Sequence, residues 1–183
     1  MPTLLKPLVT GTLLLAAAFV LSGCLSGRST GTVIDDQNME MRVIDAIYSS
    51  DGIGEESHIK VEAHDSIVLL MGETDTEAKK TEAFELASRV PHVDRVVNEI
   101  EVKESADAGT LFNNSWLTAK VNTALMTKNP VEGFDTSRIK VISSDHTVYL
   151  MGIVTQAEGD AAAEVARNVG GVEKVVKVFS YSD

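Results

Sequence analysis

Val68-Leu69-Leu70-Met71-Gly72 returns as Val148-Tyr149-Leu150-Met151-Gly152, displaced by 80 positions, and this recurrence decides the fold. The same displacement carries Ile59-Lys60-Val61 onto Ile139-Lys140-Val141. Further out the register slips slightly. Val43, Ala46 and Ile47 match Val121, Ala124 and Leu125 at 78, while Ala87, Val90, Val93 and Val96-Val97 match Ala166, Val169, Val172 and Val175-Val176 at 79. Such slips fall between elements, where loops absorb length changes. The chain therefore holds two copies of one module.

In the second copy, residues 116–127 put Leu117, Val121, Ala124 and Leu125 on one helical face, with Ser115 as its N-cap. Residues 139–142 and 148–151 are β-branched and apolar around the polar turn Ser143-Ser144-Asp145-His146, which predicts a hairpin. Thr155 followed by Glu158 forms a capping box for a helix that runs to about residue 168 and stops at Gly170-Gly171. Residues 172–179 supply a third strand. The first copy repeats this order over 39–49, 59–63, 67–71, 76–90 and 96–102. The predicted fold is α+β, two tandem αββαβ modules, each a three-stranded mixed sheet packed against two helices. At about 65 residues apiece the separate cores are marginal, so packing between copies is expected to add stability.

The N-terminal segment has another purpose. Lys6 is followed by an apolar run over residues 8–20 and then by Ser22-Gly23 before the chain's one cysteine, Cys24, which is signal-peptide architecture. That run is 13 residues long, against about 20 for a helix that spans hydrocarbon. A single cysteine excludes an intramolecular disulfide. Residues 24–37, rich in Gly, Ser and Thr, read as a flexible tether with a span of about 20 Å. The expected organisation is a signal peptide over 1–23, the tether over 24–37, modules over 38–104 and 115–183, and a linker over 105–114.

Leu21-Ser22-Gly23-Cys24 resembles the lipobox of bacterial lipoproteins. The resemblance implies that Cys24 is acylated, with chains such as palmitate, and anchors the protein; each buried methylene contributes about 0.8 kcal/mol, so two or more chains make release rare. In Gram-negative lipoproteins an Asp after the modified cysteine signals inner-membrane retention. Leu25 stands there instead, which by that resemblance implies the outer membrane, with the folded part in the periplasm.

The two modules resemble the BON domain, which has this element order and a Gly closing its second strand, a structural position that Gly72 and Gly152 fit. Together with the lipobox, the tether, Val33-Ile34-Asp35-Asp36 and Asn114-Ser115-Trp116-Leu117-Thr118, the whole is similar to the dual BON-domain outer-membrane lipoproteins. That likeness implies binding of anionic phospholipid, such as phosphatidylglycerol or cardiolipin, and support of envelope integrity, including near division sites. It implies no enzymatic activity and no cofactor.

Charge indicates which copy would meet such a lipid. Residues 35–104 carry 18 acidic and 7 basic side chains, whereas residues 111–183 carry 8 and 7. Anionic headgroups would repel the first copy and tolerate the second. At about 100° per residue, Trp116 falls more than 100° from the centre of the predicted core stripe, with Ala119, Lys120 and Thr123 on the same side and Thr127 at the helix end. A Trp favours the headgroup level and a Lys stem can extend toward phosphate. The first copy has Asn38, Arg42 and Asp45 where the second has Trp116, Lys120 and Thr123. On this reading the second copy lies flatter on the bilayer and the acidic first copy sits outward.

Other functions find less support. The net charge of −11, or −12 without Lys6, argues against nucleic acid as a partner. His58, His64, His92 and His146 read as loop and turn residues without metal-ligand spacing, and no nucleophile motif or phosphate loop occurs, so neither catalytic residues nor a metal site are expected. Asp35-Asp36 and Glu55-Glu56 read as solvated loop acids. The rival reading is an adaptor whose acidic first copy steers toward a basic envelope protein.

Overall fold

The computed structural model describes residues 30–54, 57–103, 115–128 and 131–182, with side chains from residue 35 onward. The signal peptide, Cys24 and the linker lie outside the described residues. Each module has the αββαβ order read from the sequence, and the class is α+β. The first contains α1 (Thr30–Tyr48), β1 (His58–His64), β2 (Ile67–Thr74), α2 (Glu77–Ser88) and β3 (Arg95–Val102). The second contains α3 (Ser115–Lys128), a short 3-10 turn, β4 (Ile139–Ser144), β5 (Thr147–Val154), α4 (Gln156–Arg167) and β6 (Lys174–Tyr181).

In each sheet the middle strand pairs antiparallel with the strand before it and parallel with the strand after the helix, giving two mixed sheets ordered β1-β2-β3 and β4-β5-β6. Thr155 caps α4 with the reciprocal Glu158 contact of a capping box, as its spacing predicts. Among the boundaries that differ from expectation are two helix starts. Residues 30–37, expected as tether, are the first residues of α1, and among them Asp36, expected as a solvated loop acid, is buried, its Oδ1 accepting the Asp65 N–H at 3.1 Å. Ser115, expected as the cap of α3, is its first helical residue.

The middle strands are buried on both sides. Val68 and Leu70 face α1 and α2, and Val148 and Leu150 face α3 and α4. Their neighbours Ile67, Leu69, Met71, Tyr149 and Met151 point the opposite way and meet in a third apolar layer with Ile142 and Val178. The two sheets thus stack back to back with a helical layer outside each. Packing between copies is a full apolar layer, and burial there pushes the Tyr149 hydroxyl up to about 12, with Glu99, Glu101 and Asp145 adding to the shift.

Polar contacts fasten the edges of this layer. Lys140 Nζ lies 3.1 Å from Glu40 and 2.7 Å from Glu62, and donates to the Ala63 carbonyl at 3.2 Å. Lys174 pairs with Glu99 at 2.9 Å, and Arg95 donates to the Phe179 carbonyl at 2.8 Å. Gly72 and Gly152 sit at φ 109° and 154° with the His58 and Arg138 carbonyls against them, where a Cβ would collide with backbone oxygen. Each glycine lets the first strand of its hairpin lie close over the second.

Candidate functional site

α3 rests on the second sheet through Leu117, Val121 and Leu125, all fully buried. That fixes what turns outward: Trp116, Ala119, Lys120, Thr123 and Thr127 are all exposed. These five expected residues are brought together along one outer flank, at helical spacings of three and four. Trp116 is 49 % exposed, so the indole lies neither in the core nor between the modules.

One face of the indole is nonetheless supported. A Cβ on Gly171 would come within 2.8 Å of the ring at Cη2, so the ring rests on the glycine backbone in the turn between α4 and β6. Lys120 Nζ stands 4.4 Å from the ring centroid and donates to the Gly170 carbonyl at 3.2 Å. A cation over an indole is attracted by the ring's quadrupole. Behind the turn, His146 Nδ1 is 3.1 Å from the Gly171 carbonyl. The expected extension of Lys120 into solvent is therefore replaced by an ammonium folded over the indole. With one donor given to Gly170, it keeps two for another acceptor.

The hydroxyls on this flank are committed to their own helix. Thr123 Oγ1 donates to the Ala119 carbonyl at 2.8 Å and Thr127 Oγ1 to the Thr123 carbonyl at 2.7 Å. Each threonine then offers mainly its methyl group outward. Met126, 71 % exposed, extends the apolar surface. Sequence reasoning passed over Met126, although its helical phase places it well away from Leu117, Val121 and Leu125. Gly171 and His146 were missed as well, and no local pattern links either of them to Trp116.

The first module shows the same place built differently. Met39, Val43 and Ile47 are buried as Leu117, Val121 and Leu125 are, which sets Asn38 opposite Trp116 and Arg42 opposite Lys120. His92 stands where the second module has Gly171. With no indole to fill it, the space is a cleft of about 530 Å³ whose lining includes Asp35, Asp36, Asn38, Arg42, Asp65 and His92. An amphipathic aromatic surface in one copy corresponds to an acidic hollow in the other.

Chemically, the α3 flank offers an apolar ring, methyl and thioether groups and one ammonium, a combination suited to the boundary between hydrocarbon and anionic headgroups. His58 and His64, expected in loops, are instead the end residues of β1. Among the described residues no group of three or more His, Cys, Asp or Glu side chains could hold a metal ion. No described helix is long and apolar enough to cross a membrane.

Comparison with known proteins gives a consistent set of relatives. The BON domain family model matches residues 35–104 and 113–183. The chain is 34 % identical to the outer membrane lipoprotein DolP of Haemophilus influenzae, with 98 % of this chain and 99 % of that protein covered. It is 37 % identical to the 21 kDa hemolysin of Actinobacillus pleuropneumoniae, covering 84 % and 78 %, and 26 % identical to the osmotically-inducible protein Y of Escherichia coli, covering 82 % and 74 %.

Proposed function

The chain belongs to the BON domain family, with two copies of the domain in tandem in an outer-membrane lipoprotein, and from that premise we propose that its second domain binds anionic phospholipid along the outer flank of α3. In this reading an acylated Cys24 holds the protein on the periplasmic side of the membrane, and lipid contact by the second domain supports outer-membrane integrity. No catalysis is involved.

The observation that carries the reading is the half-exposed indole of Trp116 with the Lys120 ammonium over its ring. The ring supplies apolar area at the headgroup level, and the ammonium has donors left for phosphate. Ala119, Thr123, Thr127 and Met126 extend the apolar strip along the helix. The charge of the second domain is close to balanced, so an anionic bilayer is not repelled there as it is by the first.

The test is co-sedimentation of the mature chain carrying Cys24→Ser with vesicles of phosphatidylcholine, phosphatidylglycerol or cardiolipin. Binding is expected with the two anionic lipids and is expected to fall about tenfold in Trp116→Glu, roughly 1.4 kcal/mol. Equal binding by both proteins, or equal binding to phosphatidylcholine, removes the reading.

A further inference from the structure

The first domain carries a second surface, independent of the phospholipid reading, at the outer edge of β1. This strand pairs with β2 on one side only, so alternate residues direct their backbone N–H and C=O outward. At Ile59 both groups are taken by a side chain: its N–H donates to the Tyr48 hydroxyl at 2.9 Å, and that hydroxyl lies 3.0 Å from its carbonyl. At Ala63 the N–H donates to Glu40 at 2.8 Å and the carbonyl accepts from Lys140 at 3.2 Å. Val61 lies midway, two residues from each. Its side chain packs in the core, and no described residue bonds its outward N–H and C=O.

That single open rung faces a groove of about 610 Å³ whose walls include Ile44 and Tyr48 of α1, Met71 of β2 and Ser144 of the second domain. Met41, Ile44 and Tyr48 continue the apolar surface outward, all exposed and spaced by three and four along one side of α1. An open rung on an edge strand is a template for an added strand, and an apolar groove beside it suits a peptide better than a lipid tail. The rim charges are already occupied, Lys60 with Glu62 at 2.9 Å and Lys140 with Glu62 at 2.7 Å. Beyond the rim, the 18 acidic against 7 basic residues of the first domain set a negative field that disfavours both an anionic bilayer and a second copy of this chain.

We propose that this groove docks a short extended segment of a basic partner polypeptide, one of whose residues exchanges hydrogen bonds with Val61 while an apolar side chain enters between Ile44 and Tyr48. The capped rungs at Ile59 and Ala63 limit the added strand to one residue pair. They also close the edge to unlimited strand addition.

The experiment is calorimetric titration of the full acylated protein in phosphatidylcholine nanodiscs with a short synthetic peptide, lysines alternating with valines around a central leucine. Saturable one-to-one binding is expected. Ile44→Asn, at an exposed position, weakens it about tenfold. N-methylation of the peptide at the central leucine weakens it about fivefold, and replacing the lysines by glutamates removes it. Trp116→Glu leaves it unchanged, which separates this surface from the phospholipid site. The proposal is overturned by absence of saturable binding, by equal binding to Ile44→Asn or to the N-methylated or glutamate peptide, or by binding that is lost in Trp116→Glu.

Discussion

Gly171 carries more of the α3 site than its size suggests. The indole of Trp116 lies directly on it, so Gly171→Ala must lift the ring and part it from Lys120. Since Trp116 is the only tryptophan, its fluorescence reports this cleanly. The emission is expected to shift to longer wavelength, and stability to fall by about 1 kcal/mol from the unfavourable backbone at φ 106°. An unchanged spectrum would mean that the ring does not rest there. Gly72 and Gly152 make a harsher case, because an added Cβ meets a backbone carbonyl that has no rotamer to change. Gly72→Ala and Gly152→Ala are each expected to lower stability by about 3 kcal/mol in urea unfolding. The outward direction of Trp116 was legible from helical phase alone. Its seat on Gly171 was not, because the contact joins the start of α3 to a turn more than fifty residues away in the chain.

At the scale of elements, α3 makes a distinction that its composition hides. Thr123 and Thr127 count as polar, yet their hydroxyls are bound to the helix backbone. Thr123→Val, with the methyl kept, is therefore expected to leave vesicle binding within about twofold, whereas Thr123→Glu places a carboxylate on the strip and reduces it about tenfold. A large loss in Thr123→Val would show that the hydroxyl itself is used. The cap of α4 was readable because Thr155 and Glu158 are local partners; the burial of Asp36 in α1 was not, because Asp65, which holds it, lies 29 residues further along the chain. The second burial layer was written in the sequence and only half read. Ile67-Val68-Leu69-Leu70-Met71 and Val148-Tyr149-Leu150-Met151 do not alternate with polar residues, the pattern of strands covered on both faces. Packing between the copies was expected from the small size of each core, but the residues that make it, Leu69, Met71, Tyr149 and Met151, were not picked out from this pattern.

For the whole molecule, the stacking of the two sheets ties stability to pH. Burial alone would raise the Glu62 carboxyl, but hydrogen bonds from Lys140 and Lys60 outweigh it and hold the group below its ordinary value of 4.5. In the same way burial alone would lower Lys140, yet Glu62 and Glu40 bring it above 10.5. A carboxyl lowered by folding contributes stability that is complete above 4.5 and lost as pH falls through the folded value; an ammonium raised by folding contributes stability that is complete below 10.5 and lost as pH rises through the folded value. The urea midpoint is therefore expected to be highest between these limits and to fall on both sides. Glu62→Gln should flatten the acid limb, and an unaltered limb would show that this contact does not hold the sheets together.

Because the sheets meet back to back, the helical layer carrying α1 and the layer carrying α3 look in opposite directions, separated by two sheets about 10 Å apart. Adhesion of one layer to a surface therefore leaves the other pointing away from it. The protein has the geometry of a two-sided coupling, in which whatever engages the α3 side leaves the α1 side free to engage something else.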